Sequence, residues 1–205
     1  MNNRQSTATV EQTPKEAILE GAERVFRQYG YAKTTVADIA RELGMSPANI
    51  YRFFPSKAAI HSALADRVVG HAEIEALQVA RLQLPAAERL RLFVVGRYKS
   101  TVAVMLQDRK VHDMVMVALE QQWDVVERHL DRMTGIVEMI IKDGMASGEF
   151  ARGDSDLAAR CFSAATVAVC HPQIVAQNLD KPGCPTPEEI ADFAVQALIT
   201  GDQRP

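Results

Sequence analysis

The sequence predicts an all-α protein, and three observations carry that expectation. Ala, Leu, Val, Met, Glu, Arg and Gln dominate the composition, and no run of β-branched residues alternates with polar ones. Capping signatures recur, at 13-TPKE-16, 46-SP-47 and 186-TPEE-189. Each is followed by apolar residues three or four apart, the spacing of one buried helix face.

The elements follow in order. Residues 1–12 read as a flexible polar tail. Thr13 caps a first helix with Pro14 at its first position and Glu16 closing the box; its stripe is Ile18, Ala22, Val25, Phe26 and Tyr29, and Gly30 ends it. A second helix starts at a cap on Thr34 or Thr35, runs through Val36, Ile39, Ala40 and Leu43, and stops at Gly44. Ser46 and Pro47 open a short third helix that ends before 55-PSK-57, where a fourth begins and extends over about 56–83. Longer helices are expected at about 86–107, 109–118, 121–147, 155–178 and 187–200, with Gly144 and Gly148 as terminators of the third of these. Pro172 should kink the helix over 155–178.

Composition narrows the function classes. At 205 residues, 47% hydrophobic and 24% charged, the chain is an ordinary globular one. The net charge of −3 is uneven: residues 1–60 carry +2 and residues 61–205 carry −5, so an anionic partner should meet the N-terminal part. Cys161, Cys170 and Cys184 lack CxxC spacing and read as reduced thiols. The opening residues have no apolar signal region, and no run approaches a membrane span, so a cytoplasmic protein with no membrane association is expected. G-x-S-x-G, P-loop and H-E-x-x-H motifs are absent and the histidines lack ligand spacing, so no enzyme, metal or cofactor is expected.

One stretch stands out. In 45-MSPANIYRFFPSK-57 three of the twelve aromatics fall within four positions, with an arginine among them. On a helical wheel at ~100° per residue, Ile50, Phe54, Pro47 and Phe53 fall on the inward sector, while Ala48 and Arg52 face away and Tyr51 and Asn49 lie at the sides. A short helix after a three- or four-residue turn, small at its N-terminus and bearing Asn49 and Arg52, fits the second helix of a helix-turn-helix. Small residues let the backbone enter the major groove, and Arg and Asn can reach base edges. Lys57 adds positive charge at the start of the next helix.

Residues 15–61, and within them ILEGAERVFRQYGYAKTTVADIARELGMSPANIYRFFPSKAAI, resemble the DNA-binding domain of the TetR/AcrR family of bacterial regulators. Fainter similarities lie at 144-GMASGEFARGDSDLAAR-160 and 171-HPQIVAQ-177. The resemblance implies a helix-turn-helix DNA-binding domain over 13–60 and a larger helical ligand-binding and dimerisation domain over 61–205. It also implies a phosphate contact by Thr35, backbone contacts by Tyr51 and Lys57, and groove-facing or base-reading roles for Pro47, Ala48, Asn49 and Arg52. Phe53 departs from the family, which often has His or Tyr there; it cannot donate to a phosphate and is left out. Lys33 is a further phosphate candidate by charge and place.

The candidate ligand-binding residues are Met105, His112, Met116, Trp123, Phe162 and His171, with Met114 and Met139 beside them. Each of these is also an ordinary core residue by type. Arg97, Lys99 and Arg109 would favour an anionic head group. The last two helices should form the homodimer, 190-IADFAVQALI-199 by a stripe of Ile190, Phe193, Ala194, Ala197 and Leu198. The expected protein is a dimeric repressor on a palindromic double-stranded operator, released by a small, largely apolar effector. A regulator controlled by a protein partner or by no ligand, and possibly an activator, is the alternative.

Overall fold

The computed structural model describes residues 13–107, 116–120 and 123–199, and no β-strand occurs among them. Ten helices are followed here: α1 (Pro14–Tyr29), α2 (Val36–Glu42), α3 (Pro47–Tyr51), α4 (Lys57–Ala80), α5 (Ala86–Gln107), α6 (Trp123–Ser147), α7 (Ser155–Ala165), α8 (Val167–Cys170), α9 (Pro172–Asn178) and α10 (Pro187–Ile199). A further helical stretch covers 116–120; the rest of the helix expected at 109–118 lies outside the described residues. The chain divides into two compact units within α4, after Leu64.

In the first unit the caps form as the local chemistry requires. The Thr13 N–H donates to Glu16 Oε2 at 2.8 Å and the Glu16 N–H to Thr13 Oγ1 at 3.3 Å, satisfying two N–H groups that a helix start leaves without partners. Gly30, at φ +83°, ends α1 by donating to the Phe26 carbonyl. Ile18, Ala22, Val25 and Phe26 of α1 are buried with Ile39 and Ala40 of α2, Ile50 of α3 and Ile60 of α4. Gly21 allows α1 to lie against α2, since a Cβ there would stand 2.7 Å from Leu43 Cδ2.

In the second unit α5, α6, α7 and α10 close on a core that includes Leu90, Val94, Val137, Ile140, Ile141 and Val195. Gly144 is not a terminator. α6 runs past it to Ser147 and ends at Gly148, at φ +84°, while Gly144 makes room for Phe150 to fold back. A Cβ on Gly144 would meet Phe150 Cδ2 at 2.3 Å and Ala86 Cβ at 2.9 Å. Gly144→Ala is therefore expected to overpack this corner and cost ~1–3 kcal/mol, read as a lower midpoint in urea.

Three further expectations about the helices need correction. The helix over 155–178 is three helices, because the chain breaks at Thr166 as well as before Pro172. Thr166 Oγ1 donates to the Phe162 carbonyl at 3.0 Å, which competes with regular continuation, and Pro172 holds His171 in extended backbone. α4 ends at Ala80, where Arg89 donates to the Ala80 carbonyl at 2.7 Å. The stripe read on α10 splits between two faces. Ala194 is buried and Ile190 and Leu198 pack on the unit's own core, whereas Phe193 is 78% exposed and Ala197 lies outward with it.

A polar link ties α4 to α6 inside this unit. His129 Nδ1 lies 2.8 Å from Glu73 Oε1, and Arg132 Nε donates to Glu73 Oε2 at 2.7 Å. Burial pushes the His129 pKa below its ordinary 6.5, with Glu73 pulling the other way. Burial raises Glu73, but the bonds from Arg132 and His129 outweigh it and hold its carboxyl below the usual value. Neutral His129 then donates its Nδ1 hydrogen to the carboxylate. As pH falls below His129's ordinary 6.5, the unfolded chain takes up a proton that the folded chain refuses, so stability should fall with acidification. Glu73 adds a loss in the same direction at lower pH. Melting temperatures between about pH 7.5 and pH 5.5 should decline, and His129→Gln should flatten that decline.

Candidate nucleic-acid interface

The interface is built on the α2–turn–α3 corner. α2 ends at Glu42 with Leu43 as its C-cap, Gly44 takes φ +62°, the Met45 N–H returns to the Ala40 carbonyl at 2.8 Å, and Ser46 caps α3 by accepting from the Asn49 N–H at 3.3 Å. The turn is tight because glycine adopts that φ without cost and serine restarts the helix at once.

Around α3 the division into core and surface largely follows the wheel. Ile50 is fully buried and Phe54, beyond the helix end, is 6% exposed; Tyr51 is 52% exposed, and Ala48 and Arg52 are also exposed. Asn49 and Phe53 are half-buried. Pro47 is the exception: placed inward by its angle, it is exposed with Ala48. In the first turn of a five-residue helix none of the described elements covers that direction. No carboxylate of the described residues pairs with Arg52.

Two of the residues expected to touch the DNA backbone, Thr35 and Lys57, are engaged within the unit. Thr35 is the cap of α2, and its hydroxyl donates to Asp38 Oδ2 at 2.6 Å while its N–H donates to the same oxygen at 2.9 Å. These bonds, with help from Arg41, hold the Asp38 carboxyl below its usual range. A phosphate at Thr35 must therefore take the place that the Asp38 carboxylate now holds. Lys57 is no freely solvated charge: its Nζ donates to the Tyr31 carbonyl at 2.9 Å and lies 4.3 Å from the centre of the Tyr31 ring. That ring in turn packs on His61 at 4.5 Å and Phe26 at 5.4 Å. The Tyr31 carbonyl and ring thus hold the ammonium in place, and one of its three N–H groups is used by that carbonyl.

Tyr31 and Asp38 are absent from the residues the sequence singled out. Asp38 was readable, because Thr35-x-x-Asp38 is itself a capping-box spacing. The Tyr31 contact, 26 residues from Lys57, carried no local signal. Beside Thr35 an open groove of about 490 Å³ is lined by Val25, Tyr29, Lys33, Thr34, Asp38, Arg41 and Glu42, which sets Lys33 and Arg41 at its edge. Lys57→Ala is expected to weaken DNA binding evenly across sequences and to lower the salt slope by about 1, measured by anisotropy over a salt series.

In the second unit the ligand candidates are scattered. Phe162 belongs to the packed core, Met116 is half-buried and Met139 is 36% exposed. His171 is half-buried, and its Nδ1 is buried with no hydrogen-bond partner among the described residues. His112, Met114 and Arg109 lie outside the described residues, as do the side chains of Met105 and Trp123. No group of His, Cys, Asp and Glu suited to a metal occurs among the described residues, and none of their helices is long and apolar enough to cross a membrane.

An all-helical chain whose first unit presents a capped helix-turn-helix, small residues leading the exposed helix and an arginine at its end, defines a DNA-binding transcriptional regulator. Comparison with known proteins gives the family. Residues 18–64 match the model of bacterial regulatory proteins of the tetR family, and residues 86–191 match a tetracyclin repressor-like C-terminal domain. The chain belongs to the TetR family. It is 22% identical over 151 residues to the HTH-type transcriptional regulator YhgD of Bacillus subtilis, covering 71% of this chain and 76% of that one. Over 48 residues it is 46% identical to the HTH-type transcriptional repressor Rv1474c of Mycobacterium tuberculosis, a match spanning 23% of this chain and 26% of that protein. A transcriptional regulator of Saccharomonospora viridis, solved in complex with choline, superposes with a TM-score of 0.61 at 25% identity over 91% of this chain and 96% of that one.

Proposed function

We propose that this regulator is a repressor that binds a palindromic operator as a homodimer and is released by a small effector. The DNA-binding head spans 13–60 and the sensing and dimerisation body spans 61–205. The observation that carries the reading is the exposed face of α3, where Pro47, Ala48 and Arg52 stand free of the core that holds Ile50 and Phe54. Arg52 and Asn49 read base edges, Tyr51 and Lys57 hold the backbone, and Thr35 takes a phosphate once Asp38 yields it.

Dimerisation is supported by outward apolar residues on two helices of the second unit. α7 exposes Leu157, Cys161 and Ala164, three to four residues apart, and α10 exposes Phe193 and Ala197. Small residues on α7 allow two helices to approach closely, and a two-fold pair would set the heads at successive turns of DNA. Repression is supported by the mycobacterial relative, and effector control by the choline held in the Saccharomonospora neighbour. α4 is a single helix from Lys57 to Ala80, so it carries the chain from that lysine into the second unit.

The test is an anisotropy titration of the purified protein on the DNA flanking its own gene, over a salt series. Tight, salt-sensitive binding of two chains to a palindrome supports the reading. Binding that is weak and indifferent to sequence, in protein freed of any bound small molecule, would overturn it.

A further inference from the structure

We infer that the effector is an apolar molecule ending in a single negative charge, such as a carboxylate, and that Arg97 binds that end. The inference rests on the effector-released reading and adds the ligand's chemistry and its anchor. Among the described arginines of α5, α6 and α7, five meet a carboxylate: Arg89 pairs with Asp143, Arg91 with Asp192, Arg128 with Asp66, Arg132 with Glu73 and Arg160 with Asp156. Arg97 is the exception. It is half-buried, and no carboxylate of the described residues pairs with it.

Two groups of the described residues that interact with it are neutral. The Cys170 thiol lies beside the guanidinium and stays protonated, because burial pushes its pKa up by more than Arg97 pulls it down. His129 also feels Arg97, which adds to the effect of burial in keeping that ring neutral. A half-buried cation that no carboxylate of the described residues pairs with is costly to hold, and an anion arriving from solvent recovers that cost. The choline of the structural neighbour has the opposite charge, so that ligand class does not suit this site.

The cleft at Arg97 gives the ligand's other end. Along α5, Leu92 and Phe93 line it first, then Gly96, then Arg97 and Ser100, with α4 as the opposite wall. At Gly96 a Cβ would meet nothing within 4 Å, so the middle of the cleft is open on that side. A chain with its charge on Arg97 would lay its apolar part toward Phe93 and Leu92. Glu75 stands exposed at the polar end, accepting from Ser100 Oγ at 3.0 Å; its charge disfavours a dianion and leaves a monoanion acceptable. The cleft holds about 40 Å³, far below the ~300–1,000 Å³ of a ligand pocket, so an alkyl chain enters only by displacing α4 from α5. Occupancy therefore acts on the helix that begins at Lys57.

The experiment uses the full chain with decanoate, and with decanol and decyltrimethylammonium as neutral and cationic counterparts of equal chain length. Calorimetry reads binding, and anisotropy on operator DNA reads release as the ratio of each variant's own Kd with and without the probe. Decanoate should bind and raise the operator Kd by about tenfold or more, and Arg97→Gln should lose about tenfold in decanoate affinity. Arg97→Lys, which keeps the charge, should fall between them, so that a packing defect in the glutamine variant is told apart from loss of charge. Failure of decanoate to bind, equal binding by Arg97→Gln, or preference for the ammonium would overturn the inference. Decanoate bound through Arg97 with no change in operator affinity would uphold the site and defeat effector release. Release by decanol or the ammonium alone would do the reverse.

Discussion

Arg52→Ala is expected to erase base preference at one position of each half-site, at ~1–3 kcal/mol per half-site. The side chain is exposed at the end of α3, outside the core, and no acidic group of the described residues has to release it before it reaches a base. Its loss should leave folding unchanged and should be felt on the native operator but hardly on a site already altered at that base pair. Lys57→Ala provides the contrast, since its loss should be the same on every sequence. Anisotropy on a panel of single-base operator variants separates the two. A uniform loss for Arg52→Ala would make Arg52 a phosphate contact and move base reading to Asn49 and its neighbours.

The second large effect is expected from Phe193→Glu. Phe193 is 78% exposed on α10, so the change leaves the unit's own core intact. In a two-fold dimer the same ring is buried twice, and each buried phenylalanine contributes ~1.5–3 kcal/mol. A carboxylate in its place removes that gain and adds the cost of desolvating a charge near its copy. Sedimentation should show monomers with helix content unchanged, and operator affinity should fall further than for Arg52→Ala, because a monomer keeps only one half-site. A dimer that survives the substitution would place the interface on another face.

How far the sequence carried these residues can be argued case by case. Thr13, Ser46 and Thr186 were legible as caps, because a cap and its N–H partner lie within three residues of each other. Ile50 and Phe54 could be sorted from Tyr51 and Arg52 because a helix repeats every 3.6 residues. Pro47 could not be sorted, since an angle states a direction and not whether anything stands there. On α10, likewise, the periodicity found apolar residues but could not say that Ile190 and Leu198 serve the chain's own core while Phe193 looks outward. Gly144 read as a stop, and only the return of Phe150 made it a packing site.

By itself the sequence determined the helical class, most of the helix starts, and the face of α3 that meets solvent, because each depends on interactions within about one turn. The tertiary structure alone decided which charges far apart along the chain are engaged. Lys57 rests on Tyr31 across 26 residues, Arg91 meets Asp192 across 101, and no carboxylate of the described residues pairs with Arg97. Those partnerships depend on how whole helices pack side by side, and no spacing along the chain encodes that distance.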